Sequence, residues 1–227
     1  MAYRTFCIPG VFFIFSAFVL MFITSISLPY LTGVDFVRVH FNGGGAGAGS
    51  GTGSAVSQLR FGIWAYCFNE IPSGNRVCSP SGHAYSVSIL SPTQNNTNVI
   101  IGPSWTRGLA IHPVATGVIF IALLLSFSTH ITVTLIASLV AFLAALLTLI
   151  AFACDIALYA YVKHQVGKLP GVSESTITGP GFWLTFVSFL LLLLAGCTVC
   201  FGRRRDRMAG ATSYSTTKRP FWSRFRR

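Results

Sequence analysis

The stretch Phe182 to Phe201, FWLTFVSFLLLLLAGCTVCF, runs without a charge straight into Gly202, Arg203, Arg204, Arg205, Asp206 and Arg207. A bilayer core is crossed by about 20 apolar residues in a helix. Basic residues beside such a helix stay on the cytoplasmic side, where the leaflet is anionic. This junction therefore reads as the cytoplasmic end of a membrane span. Nine of the sixteen Lys and Arg residues follow it, between 203 and 227.

Working outward, the whole chain has the composition of a membrane protein: 52% hydrophobic, 9% charged, with a mean hydropathy of +0.66. That leaves too little polar surface to coat a water-soluble globule of 227 residues. The formal charge of +11 does not indicate nucleic acid, because the tail's nine basic and one acidic residues supply +8 of it. Three further apolar stretches reach spanning length, so the predicted spans are residues 10–28, 109–128, 131–154 and 181–201. With four crossings both termini are expected in the cytoplasm. Residues 29–108 and the connection near 161–180 then face out. The turn near 128–130 is short enough to make spans two and three an antiparallel hairpin. Arg4 ahead of an apolar run also fits a secretory signal, but the run from Ile8 to Leu28 is longer than a signal core of about 7 to 15 residues. Ala137, Ala141 and Ala145 recur at helical spacing in the third span and would let a neighbouring helix come close.

The outer segment alternates polar with β-branched and aromatic residues, which predicts strands over Val34–Phe41, Gln58–Cys67 and Tyr85–Leu90. The fold class expected is an integral membrane four-helix bundle carrying a small extracellular antiparallel β-sheet. Residues 43–53, nearly all Gly with Ala, Ser and Thr, read as a flexible connector; no Lys-Ser/Thr follows, so they form no phosphate loop. Cys67 and Cys78, eleven apart in the oxidising compartment, are expected to form a disulfide. Asn95 in Asn95-Asn96-Thr97 is an acceptor sequon for a glycan. Cys7, Cys197 and Cys200 sit at the inner ends of spans and are candidates for acylation. The Cys197-x-x-Cys200 spacing lacks the partner ligands of a metal or redox site. No cofactor and no small-molecule substrate are implied.

Titratable groups are sparse, so paired catalytic groups are missing and an enzyme is not expected. Counted from the hairpin turn, Asp155 lies 26 residues along the third helix, about 39 Å, and Arg107 22 residues along the second, about 33 Å. This predicts an ion pair between Arg107 and Asp155 at the outer headgroup level. His112 falls about 13 Å deeper on the same count, so contact with Asp155 would need an asymmetric or tilted hairpin. His83 and His164 are also expected outside, where histidines titrate near neutrality. At the other end, Arg203, Arg204, Arg205, Arg207, Arg224, Arg226 and Arg227, interleaved near the terminus with Phe221, Trp222 and Phe225, suit contact with anionic inner-leaflet lipid. Residues 208–227 form this basic tail, and residues 1–207 the membrane domain.

Four spans, a β-rich first outer loop and the signature Gly62, Trp64, Cys67, Cys78 resemble the claudin-type tetraspan architecture, without its second tryptophan and glycine–leucine context. More closely, the chain resembles the fungal pali family, the PalI-type regulators of ambient-pH response and their relatives in plasma-membrane furrows. The stretches carrying that resemblance are Arg60–Cys67, His112–Ala115, Asp155–Tyr159 and Gly179–Trp183. The tail is shorter than in some members. The resemblance implies a non-enzymatic plasma-membrane protein that assists a multispanning pH sensor in the alkaline response. A structural organiser of furrow domains and cell-wall integrity is the other role it implies, and self-association to a homo-oligomer is compatible with both.

Overall fold

A computed structural model describes residues 3–42, 46–48, 55–91, 98–128, 131–169 and 173–215. The elements in order are helix α1 (Tyr3–Ser25), strands β1 (Val37–Asn42), β2 (Ala46–Ala48), β3 (Ala55–Phe61), β4 (Tyr66–Glu70), β5 (Arg76–Cys78), β6 (Val87–Leu90) and β7 (Asn98–Ile101), a short helix α2 (Pro103–Thr106), a 3-10 turn (Arg107–Ala110), helices α3 (Ile111–Ser126) and α4 (Ile131–Val166), strand β8 (Ser173–Thr178) and helix α5 (Pro180–Ser215). Among the described residues four long helices carry one antiparallel sheet. Pro103–Ser126, Leu135–Val166 and Pro180–Cys197 are long and apolar enough to cross a membrane; the apolar part of α1, Pro9–Ser25, is shorter.

The apolar residues divide into two clusters. Within the bundle, Ile14, Ala17 and Met21 of α1 meet Ala115 and Ile119 of α3, Ala144 and Ala145 of α4, and Leu192 and Ala195 of α5. The predicted alanine stripe faces inward: Ala137, Ala141 and Ala145 are all buried. Small side chains bring backbones together where lipid supplies no hydrophobic force between helices. The other face of α4 is bare, with Leu139 and Phe142 more than 60% exposed, as lipid-facing residues would be. The second cluster joins one face of the sheet, including Val37, Val39, Leu59 and Phe61, to Leu109, Leu158, Val162 and Val166 at the helix ends.

That second cluster explains why α4 continues past the predicted end at 154 to Val166. Its last turns find a core under the sheet in place of lipid. Helix α5 likewise runs on past 201 to Ser215, into the predicted tail. The sheet is larger than the pattern suggests, with eight strands in the described residues. Strand β8, from the second connection, pairs with β1 from Val37↔Thr178 to Asn42↔Ser173. Part of the glycine-rich segment is not a free connector. Ala46–Ala48 pairs with both β3 and β6, and Ala46 is fully buried. Backbone pairing needs no side chain, and small residues let three strands close up there. The expected single strand over Gln58–Cys67 is broken in two, because residues 62–65 turn to meet α1.

Candidate functional site

Sheet and bundle meet at three joints. In the first, the connection between β3 and β4 docks on the end of α1: Trp64 Nε1 donates to Ser25 O at 2.8 Å, and the Ile63 amide donates to Ser27 Oγ at 3.0 Å. Tyr85 Oη donates to Gly62 O at 2.7 Å. A Cβ at Gly62 would fall 2.5 Å from Leu28 Cβ, so only glycine permits this approach. Gly62 and Trp64 of the signature are therefore docking residues. Cys67 and Cys78 lie directly opposite one another on β4 and β5 and are joined by a disulfide, as expected.

The second joint ties β1 to the start of α5. The Gly179 amide donates to Phe36 O at 2.8 Å and the Gly181 amide to Asp35 O at 2.9 Å. A Cβ at Gly179 would fall 2.2 Å from Asp35 O. The carboxylate of Asp35 is fully buried and gripped at both oxygens by Arg38, at 2.9 Å from Nε and 2.7 Å from Nη2. This charge-assisted fork holds the Arg38 guanidinium above its ordinary pKa, although burial works the other way.

The third joint is polar and lies between the two apolar clusters. His112 of α3, Asp155 of α4 and Thr185 of α5 are each fully buried. His112 Nε2 lies 3.3 Å from Asp155 Oδ2 and 3.3 Å from Thr185 Oγ1, while Nδ1 lies 2.9 Å from Leu109 O. A carbonyl only accepts, so Nδ1 carries a hydrogen. Thr185 spends its own hydrogen on Gly181 O at 3.0 Å and offers the imidazole only a lone pair. One proton then lies between Nε2 and Asp155: the pair is imidazolium with carboxylate, or imidazole with carboxylic acid. Both arrangements have zero net charge, which burial tolerates far better than a lone charge. Thr116 Oγ1 continues the layer, 2.9 Å from His112 O, 3.1 Å from Met21 O and 2.8 Å from Ser25 Oγ. The ring of Phe36 stands edge-on to His112, 4.8 Å between centroids. Thus all four long helices and the strand entrance meet at one layer. Asp155 Oδ1 is buried with no hydrogen-bond partner among the described residues.

This corrects the expected Arg107–Asp155 pair. Arg107 is exposed on the 3-10 turn, and the partner of Asp155 is His112. Trp105 stacks on Tyr161 at 4.1 Å, and a Cβ at Gly108 would lie 3.3 Å from Cys154 Sγ. His112 facing Asp155 and Trp105 on Tyr161 set α4 about eight to nine residues, roughly 13 Å, from the register of a symmetric turn, and Gly108 against Cys154 shifts it the same way by a smaller amount. Asp155 is inside the protein, with three helical turns beyond it, and not at the helix end.

Of the other candidates, Cys197 is exposed on α5. His83 and His164 are exposed and join no part of the layer. Asn95, Arg224, Arg226 and Arg227 lie outside the described residues, as do the side chains of Cys7, Cys200, Arg203, Arg204, Arg205 and Arg207. Reading the sequence alone missed Thr185, Thr116 and the Asp35–Arg38 fork. Each hydroxyl sits within an apolar run, and the only signal was a polar residue at spanning depth. Residues 6–195 match the model of the SUR7/PalI family. None of the curated proteins compared with the chain matches it.

Proposed function

The chain belongs to the SUR7/PalI family, and on that premise we propose that it is a plasma-membrane accessory protein of the ambient alkaline-pH response. It acts by helix packing and sheet contacts with a multispanning sensor, without catalysis. Both termini are cytoplasmic and the disulfide-bridged sheet faces out. The observation that carries this reading is the joint itself: a sheet fastened to every long helix cannot move without moving the bundle. A load on the sheet is therefore felt by whatever lies against the bare face of α4. The arginines after residue 202 hold the inner end against anionic lipid, each contributing about 1 kcal/mol near the surface.

The test is a deletion strain carrying the wild-type chain or none. The reading expects failure to grow at alkaline pH, rescued by a constitutively active form of the downstream transcription factor. Normal alkaline growth overturns it. Normal growth together with lost furrows or wall stress would instead support an organiser of membrane domains and cell-wall integrity.

A further inference from the structure

The face of the sheet turned away from the helices has a composition that stability does not explain. Side chains alternate between faces along a strand, so cross-strand partners share a face. One row runs Ile177, Arg38, Arg60, Cys67, Cys78, and the next runs Ser175, His40, Gln58, Asn69, Arg76. Arg38 and Arg60 are directly opposite on β1 and β3. Like charges in that relation repel and weaken the pairing.

Asp35 relieves part of this repulsion, by pairing with Arg38 and by its attraction for the Arg60 cation. The single carboxylate within ion-pair distance, Asp35, has both oxygens occupied by Arg38. Among the described residues no acid pairs with Arg60 or Arg76. Burial, then the cations of Arg38 and Arg76, push the Arg60 guanidinium below its ordinary pKa, with Asp35 opposing. Arg60 is nonetheless held in place. Gln58 Oε1 accepts from Arg60 Nε at 3.0 Å, Arg60 Nη2 at 2.8 Å and Asn69 Nδ2 at 3.2 Å, and Gln58 Nε2 lies 3.2 Å from His40 Nε2. Arg60 Nη1 reaches Thr32 O at 3.2 Å. The disulfide sits in the same row and braces it.

A local rule broken with only one ion pair for three arginines marks a surface kept for a ligand. Guanidinium groups match oxyanions; the Arg38 fork is taken by Asp35, whereas Arg60 is held by the neutral acceptors Gln58 Oε1 and Thr32 O, which an oxyanion can replace, and Arg76 has no acid partner among the described residues. The surface is a sheet face and not a cleft, which suits an extended chain better than a small molecule. Its two rows hold one aliphatic side chain, Ile177, so they lack the apolar anchors a protein partner would need. We infer that Arg60 and Arg76, flanked by Arg38, His40 and Asn69, bind the oxyanions of an acidic polysaccharide, phosphate or carboxylate being the shared chemistry.

The test uses the full chain in nanodiscs of uncharged lipid, probed with a phosphorylated mannan oligosaccharide, an oligouronate, and a neutral glucan of equal length. Binding of either acidic glycan but not the neutral one is expected, and which of the two binds identifies the oxyanion. Arg76→Gln, on an exposed edge strand, and Arg60→Gln should each weaken it about tenfold. Added salt should weaken it further. Replacing Arg224, Arg226 and Arg227 with Gln should leave it unchanged, and circular dichroism of each variant should match wild type. Equal binding of the neutral glucan overturns the proposal, as do unchanged affinity in the Arg60→Gln/Arg76→Gln variant, loss of binding on substituting the tail alone, or tighter binding of a poly-glutamate peptide.

Discussion

Two polar clusters lie on opposite faces of the sheet near the start of β1, one among the helices against Phe36 and one around Arg38, and they balance charge in opposite ways. Beneath the sheet, His112 and Asp155 share one proton and no net charge, enclosed by Thr185, Phe36 and the helices. At the far face of the sheet the one carboxylate, Asp35, pairs with Arg38, while Arg60 and Arg76 have no acid partner among the described residues. The closed cluster balances its charge within the chain, so its loss should be felt as instability. The open cluster is incomplete within the chain, so its loss should be felt in binding. Stability measurements therefore separate the two.

The largest effect is expected from His112→Ala, which leaves Asp155 buried without its partner. A loss of about 3–5 kcal/mol should follow, measured by denaturant unfolding in detergent micelles. Adding Asp155→Asn to it should restore part of that loss, since the uncompensated acid is gone. If the two changes simply add, the residues are not coupled. Next comes the disulfide, whose cysteines are eleven residues apart. Replacing both cysteines with Ser should cost about 3 kcal/mol on the chain-entropy model, read by the same unfolding curves with and without reductant for the wild type.

Gly62→Ala should follow, at about 1–3 kcal/mol, because the new methyl would meet Leu28 and push the Trp64 connection off α1. Quenching of Trp64 fluorescence by a water-soluble quencher should rise in that variant. The smallest effect is expected on the open face. Arg60→Gln relieves like-charge repulsion and should leave stability unchanged or raise it by up to about 1 kcal/mol. A loss of several kcal/mol there would make the arginine face structural and erase the contrast.

Much of the helical frame was legible because each span is a long uncharged run, a signal that does not depend on tertiary context. The strands were legible where one face is apolar, as at Val37, Val39 and Phe41. Strand β8 was not, since Ser173–Thr178 lies at the sheet's edge and alternates exposed with half-buried residues, with Ile177 as its single large apolar side chain. Its β-branched run before Gly179-Pro180 was the available signal. Strand β2 gave none, because glycine and alanine contribute no pattern while their backbones still pair. The polar joint was hidden for a different reason. Asp155 and His112 were both visible as ionisable groups in apolar surroundings, but their pairing depends on the axial offset of two helices, which no local residue pattern encodes.

The claim on which the rest depends is that the sheet and the bundle are one cooperative unit joined through His112 and Asp155. Amide hydrogen exchange of the full chain in nanodiscs, compared between wild type and Asp155→Ala, tests it most directly. Amides of Val37–Phe41 and Ser175–Thr178 should lose protection together with those of α3 and α4 around the joint. Faster exchange confined to the helices, with both strands as protected as in the wild type, would contradict the account.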